Sequence, residues 1–232
     1  MLRGHRDFMA RYPQLARAVD AVCEAPPWCV TGLSSLLSDD EGLWFELAKP
    51  KHWVSRADGS IEIGLGAIGG SLEPGESLDD CWRREAWEEI GVIPELCAAR
   101  ETVLVYEERS ISRQPARDER HPAPALLTIS ANRYSHARLP GCATLAIVTY
   151  WGHLLQPPRL GDLYGLVRLP GASLVMALQQ PELPLAALLA LPGVTLQHNA
   201  PLPARAVVRP VWTVRSLQLA LQSGAIELPE WR

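Results

Sequence analysis

The chain has 232 residues, 47% of them apolar and 21% charged, with a formal net charge of −4. These figures exclude global disorder and allow one large domain, or one domain with extensions. The acidic balance argues against a general nucleic-acid surface, whereas a free nucleotide needs only a few local cations. Five cysteines, Cys23, Cys29, Cys81, Cys97 and Cys142, show no C-x-x-C and no zinc spacing. Reduced, mostly buried thiols of a cytosolic protein are expected from them. The first residues lack the apolar core of a signal peptide, and no run approaches the roughly 18 apolar residues of a spanning helix. A cytoplasmic protein with no membrane partner is therefore expected.

Asp7 to Val22 is expected to be helical. Phe8, Leu15, Val19 and Val22 form its apolar side, and Pro13 restricts or kinks it. Arg3, Arg6, Arg11 and Arg17 make this helix basic, suited to packing on the domain or on a second subunit of a homodimer. Pro26-Pro27 breaks the chain. Trp28 to Leu37 reads as a strand, residues 38–42 as a turn, and Leu43 to Ala48 as a second strand. The loop Lys49 to Ser60 carries Lys49, Lys51, His52, Trp53 and Arg56, a set able to hold a base and a phosphate.

Ile61 to Ile68 reads as a strand. Gly64, Gly66 and Gly69 within and after it spell G-x-G-x-x-G. A dinucleotide-binding turn needs a helix immediately afterwards, and here the helix starts only near Leu78. These glycines read instead as sites of close backbone approach and a tight turn.

The stretch Gly70 to Val92, GSLEPGESLDDCWRREAWEEIGV, holds a glycine turn, an acidic loop and a helix. Ser77 with Asp80 starts that helix as a capping box, and Gly91 ends it. Leu78, Trp82, Ala86 and Ile90 recur every four residues and should face the core. Glu85, Glu88 and Glu89 stand at i, i+3 and i+4 and share the adjoining face. Like charges at that spacing repel. A bound hard cation, which takes oxygen ligands, is the simplest reason to keep them together.

Beyond it, Thr102 to Tyr106 is a short strand and residues 107–124 a long polar loop. Arg109, Arg113, Arg117 and Arg120 on that loop could meet phosphates. Ala125 to Ala131 and Thr144 to Leu154 read as strands. Between them lie Arg133, Tyr134, His136 and Arg138, with Tyr134 able to stack on a base. Leu163 to Leu169 is a strand, Ala172 to Leu178 a helical turn, Pro181 to Leu191 a short helix, and Val211 to Gln222 a longer helix stopped by Gly224.

The stretch Gly70 to Val92 resembles the Nudix box, G-x5-E-x7-R-E-U-x-E-E-x-G-U with U bulky and aliphatic. Gly70, Glu76, Arg84, Glu85, Glu88, Glu89, Ile90, Gly91 and Val92 occupy its positions, and only Ala86 is smaller than the pattern asks. The resemblance covers 23 of the 232 residues. It implies an α/β fold, an α/β/α sandwich with a mixed sheet and the box helix beside it. Residues 1–25 would be a helical extension and 26–232 a single domain. It implies a hydrolase cleaving a diphosphate linkage in a nucleoside diphosphate derivative, with a small-molecule partner and no stable nucleic-acid complex.

On this resemblance Glu85, Glu88, Glu89 and Glu76 would hold Mg²⁺ or Mn²⁺, and Arg84 would orient a carboxylate. The general base would be one of these glutamates or a later carboxylate: Asp162, Glu107, Glu108, Asp118 or Glu119. The alternative function is a nucleotide-sensing module that binds without cleaving, which is expected to lose box glutamates. This chain keeps them all.

Overall fold

The computed structural model describes residues 2–115, 121–133 and 141–228. In chain order its helices are α1 (Arg3–Arg11), α2 (Pro13–Val22), α3 (Leu78–Ile90), α4 (Gly171–Leu178), α5 (Leu185–Leu189) and α6 (Trp212–Gln222). Its strands are β1 (Trp28–Ser38), β2 (Leu43–Leu47), β3 (Val54–Ser55), β4 (Ile61–Gly66), β5 (Ile68–Ser71), β6 (Glu95–Cys97) and β7 (Glu101–Tyr106), then β8 (Ser110–Pro115), β9 (Leu126–Ala131), β10 (Thr144–His153), β11 (Gly165–Leu169), β12 (Leu183–Pro184), β13 (Thr195–His198) and β14 (Ala206–Pro210).

The strands form one mixed sheet whose main path runs β12-β14-β4-β2-β1-β10-β9-β7-β8. β1 lies parallel to β10 along its whole length, with a bulge between Val30 and Gly32. Its other edge meets β5 at Gly32 to Ser35 and β2 at Leu37 and Ser38. The chain from β4 into β5 therefore passes from β2 to β1, and this places the glycine turn at the middle of the sheet.

Side-chain alternation assigns the two faces. Leu104 and Tyr106 of β7 point into a core with Phe8 of α1, Tyr12 between the two helices, Leu15 and Val19 of α2, and Leu78 and Trp82 of α3. Val103 and Val105 point the other way, toward Ala220 of α6. A second large core on the α6 side gathers Phe45, Ile63, Val167, Leu174, Leu188 and Leu217. Helices thus cover both faces of a mixed sheet, and α3 lies beside it, as the resemblance implies.

The first helix is two helices. Tyr12 breaks the run and Pro13 takes the first turn of α2, where its missing N–H costs nothing. The pair is tied to the box. Asp7 accepts the Leu78 N–H at 3.1 Å, Arg11 makes two 2.8 Å hydrogen bonds to Asp79, and Arg3 donates to the Gly75 carbonyl at 3.1 Å. Residues outside the box thereby hold both its loop and the first turn of its helix.

Two expectations change, and two strands were not foreseen. The segment expected to loop from residue 107 begins as a hairpin, with β8 antiparallel to β7. Glu107 and Glu108 turn the corner at φ 51° and 54°, the left-handed geometry tight hairpins need, without the usual Asn-Gly signal. β13 and β14 are strands because β11 and β4 pair with them, a non-local cause that their short sequences do not announce. Cys29 and Cys142 form a disulfide, Cα–Cα 5.8 Å, whereas reduced thiols were expected; Cys23, Cys81 and Cys97 are free. Among the described residues no helix is long and apolar enough to cross a membrane.

Candidate active site

The box helix starts as its sequence dictates. The Ser77 hydroxyl accepts the Asp80 N–H at 3.1 Å, and Asp80 accepts the Ser77 N–H at 3.2 Å. Gly91 ends it in the left-handed conformation, φ 66°. Leu78, Cys81, Trp82, Ala86 and Ile90 are buried against the sheet, and Trp82 donates to the Ser35 hydroxyl at 3.1 Å. Trp87, on the opposite face, is 65% exposed.

The glutamates then fall on the side facing the glycine turn. The Gly69 N–H donates to Glu89 at 2.8 Å. Gly69 has φ 143°, and a Cβ there would lie 2.3 Å from the Leu33 carbonyl. A Cβ on Gly70 would lie 2.2 Å from a Glu85 carboxylate oxygen. Both positions therefore need glycine, so that the strand can approach β1 on one side and the carboxylates on the other.

Arg84 gathers three carboxylates. It donates to Glu76 at 2.9 and 3.1 Å, to Glu85 at 2.7 Å and to Glu88 at 3.2 Å, and also to the Ser71 carbonyl at 3.1 Å. These contacts raise the Arg84 pKa. Burial alone would raise Glu76, but Arg84 and the Glu73 N–H outweigh it and lower its pKa.

A second loop closes on the far end of the helix. The N–H groups of Arg159, Gly161 and Asp162 donate to the carbonyls of Ile90, Glu89 and Glu88 at 2.9, 2.9 and 3.0 Å. They satisfy the carbonyls that a helix end leaves free. A Cβ on Gly161 would lie 2.2 Å from the Glu88 carbonyl, so the docking depends on that glycine. Asp162 is thus fixed beside the box, where it takes a 2.7 Å ion pair from Lys49.

Glu46 belongs to the same place and was not foreseen. Alternation along β2 sends Leu43, Phe45 and Leu47 into the α6-side core. Trp44 and Glu46 face the other way, and Trp44 packs with Ile68 and Ile90. A glutamate inside the apolar strand LWFEL is the signal that could have found it. Burial raises Glu46 to about 7, with Lys49 opposing and Asp162 and Glu85 adding to the rise. Burial, then Glu46, pushes Glu89 up to about 9. Burial also raises Glu85, against the pull of Arg84. Hydrogen bonding to Asp162 raises Lys49.

The oxygen-rich donor set suits a hard divalent cation in kind. Glu89 is only 7% exposed, yet among the described residues no cationic side chain bonds to it. Carboxylates whose neighbours push them toward protonation are groups that a cation would relieve. The side chains do not stand as a finished shell: among the described residues no three His, Cys, Asp or Glu groups converge as a metal site. Arg84 holds Glu76, Glu85 and Glu88 instead.

The other foreseen residues lie elsewhere. Arg113 is on β8, paired with Glu101 at 2.8 Å. Its strand is four positions along the sheet from β1, about 19 Å at the usual spacing. Arg109 is exposed just after the hairpin turn. Arg117, Arg120, Tyr134, His136, Arg138, Asp118 and Glu119 lie outside the described residues. Glu107 accepts the Ala131 N–H and pairs with Arg133, and Glu108 pairs with Arg215, so both are engaged at the hairpin end.

A mixed sheet flanked by helices, with the box helix beside it, is consistent with a Nudix fold. Residues 45–132 match the family model described as the NUDIX domain. The matched span contains the whole box. A search of curated proteins found no match. Among solved structures, the chain is similar to the E. coli ORF135 protein at 14% identity, covering 68% of this chain and 84% of that one, with a TM-score of 0.35. It is also similar to a bifunctional NMN adenylyltransferase/ADP ribose pyrophosphatase from Francisella tularensis. That match has 11% identity and a TM-score of 0.29, and covers 72% of this chain and 41% of the other.

Proposed function

We propose that this protein is a Mg²⁺- or Mn²⁺-dependent hydrolase that cleaves a diphosphate linkage in a nucleoside diphosphate derivative, acting in the cytoplasm. The observation that carries the reading is the set of complete box glutamates, brought against the Gly69–Gly70 turn and closed over by the Asp162 loop. In this reading Glu85, Glu88 and Glu89 hold the cation, with Glu76 as a further ligand. When bound, the cation neutralises phosphate charge and lowers the pKa of a bound water. Arg84 keeps the carboxylates gathered and in register until the cation and substrate arrive. Asp162 or one of the glutamates takes the proton from the attacking water, and Asp162→Asn separates the two. Lys49, next to Asp162, offers a cation to substrate phosphate.

Arg109, Arg113, Arg117 and Tyr134 are proposed contacts for the rest of the substrate. Arg113 can serve only a substrate that extends about 19 Å from β1. Residues 26–232 are taken as one domain, with residues 1–25 as its helical extension. The deciding assay is product release from nucleotides, dinucleotides, ADP-ribose and nucleotide sugars with Mg²⁺ or Mn²⁺, run beside Glu88→Gln. Turnover by the wild type alone supports the hydrolase and names its substrate. No turnover across the panel, with tight nucleotide binding, sinks it in favour of a sensor.

A further inference from the structure

The carboxylates around the box differ in one respect. Glu76, Glu85 and Glu88 each accept from Arg84, Glu89 accepts the Gly69 N–H, and Asp162 accepts from Lys49. Among the described residues Glu46 has no hydrogen-bond or ion-pair partner. It lies outside the box, on a strand whose residues on either side, Phe45 and Leu47, are completely buried.

The fold makes specific room for it. β2 and β4 pair antiparallel with Glu46 opposite Gly66. A Cβ on Gly66 would lie 2.5 Å from a Glu46 carboxylate oxygen and 2.9 Å from its Cγ. Any other residue at position 66 would push the carboxylate away. Three residues further on, Gly69 binds Glu89. The same run of strand thus seats one carboxylate by a gap and the other by a hydrogen bond. A glutamate could simply turn outward on an exposed strand, but here the neighbouring strand leaves space for it on the side facing α3. Glu46 is part-exposed on that side and stands among other carboxylates without a cation of its own among the described residues, an oxygen donor of the kind a hard divalent cation takes.

We infer that Glu46 is a ligand for the divalent cation, supplied by the sheet to join the glutamates of the box helix, and that Gly66 is the spacer that seats it. The inference rests on the metal-dependent reading above. It assigns to β2 a role that the box pattern does not contain.

The test measures Mn²⁺ binding by electron paramagnetic resonance titration, without substrate. It compares wild type, Glu46→Gln, Gly66→Ala, the double variant, Glu88→Gln, and Glu95→Gln as an exposed control. Circular dichroism and metal-free melting confirm that each variant is folded. Wild type and Glu95→Gln are expected to bind alike. Glu46→Gln and Gly66→Ala should each weaken Mn²⁺ by at least about tenfold. The double variant should be no weaker than Glu46→Gln, because Gly66→Ala acts only through that side chain. If Glu46→Gln binds Mn²⁺ like wild type while Glu88→Gln has lost it, Glu46 is not a ligand and the box reading survives. If the wild type itself binds no Mn²⁺, both fall together.

Discussion

Metal-free protein is expected to become less stable as pH rises from about 5 to about 8. An unperturbed glutamate titrates near 4.5, but in the folded chain Glu46 is raised to about 7 and Glu89 to about 9, chiefly by burial. Across that interval the folded state binds more protons than the unfolded state, so stability falls as pH rises. The stabilisation is complete below pH 4.5 and is lost through about 7 for Glu46 and about 9 for Glu89. At 1.36 kcal/mol per pH unit, the Glu46 shift alone corresponds to about 3 kcal/mol. The two contributions do not add, because each charge disfavours the other. His5 works in the opposite sense: burial lowers its pKa, so its contribution grows as pH rises. Urea denaturation in a chelator at three pH values between about 5 and 8 measures the net slope. The wild type should lose a few kcal/mol and Glu89→Gln should lose much less. Saturating Mg²⁺ at the upper pH should restore stability, by about 2.7 kcal/mol at one hundred times Kd. A flat or rising wild-type curve, or a slope that Glu89→Gln leaves unchanged, would refute this account of the carboxylates.

Glu88→Gln should abolish most turnover with the fold intact, since the Glu88 side chain is half exposed and, among the described residues, bonded only by Arg84; normal turnover would remove it from the metal set. Gly70→Ala puts a Cβ 2.2 Å from Glu85 and should lower kcat by displacing that carboxylate while the melting point falls only modestly. Replacing Arg113 and Arg117 with Ala should raise KM with little change in kcat if these two side chains grip substrate; unchanged kinetics would mark them as passive. Thiol titration of the denatured, unreduced protein should count three free cysteines, and Cys142→Ser should cost up to about 5 kcal/mol through the lost 113-residue loop closure; five free thiols would disprove the bond.

The chemistry of the box was legible because it is local. A capping pair, a terminal glycine, a four-residue apolar stripe and glutamates at i, i+3 and i+4 all act within one helix, and helix geometry alone assigns their faces. The Pro13 break and the strands expected over Trp28 to Leu37 and Thr144 to Leu154, observed over Trp28–Ser38 and Thr144–His153, were readable for the same reason. Sheet partners are a different matter. Glu46 reaches the site only because β2 pairs with β4, Asp162 because its loop docks on the end of α3, and Arg113 stays away because β8 is added at the sheet's edge. Nothing within a few residues of those positions specifies such neighbours; burial of both sheet faces decides them. The sequence by itself determined the glutamate-bearing face of one helix, and tertiary structure alone decided which carboxylates from the rest of the chain stand beside it.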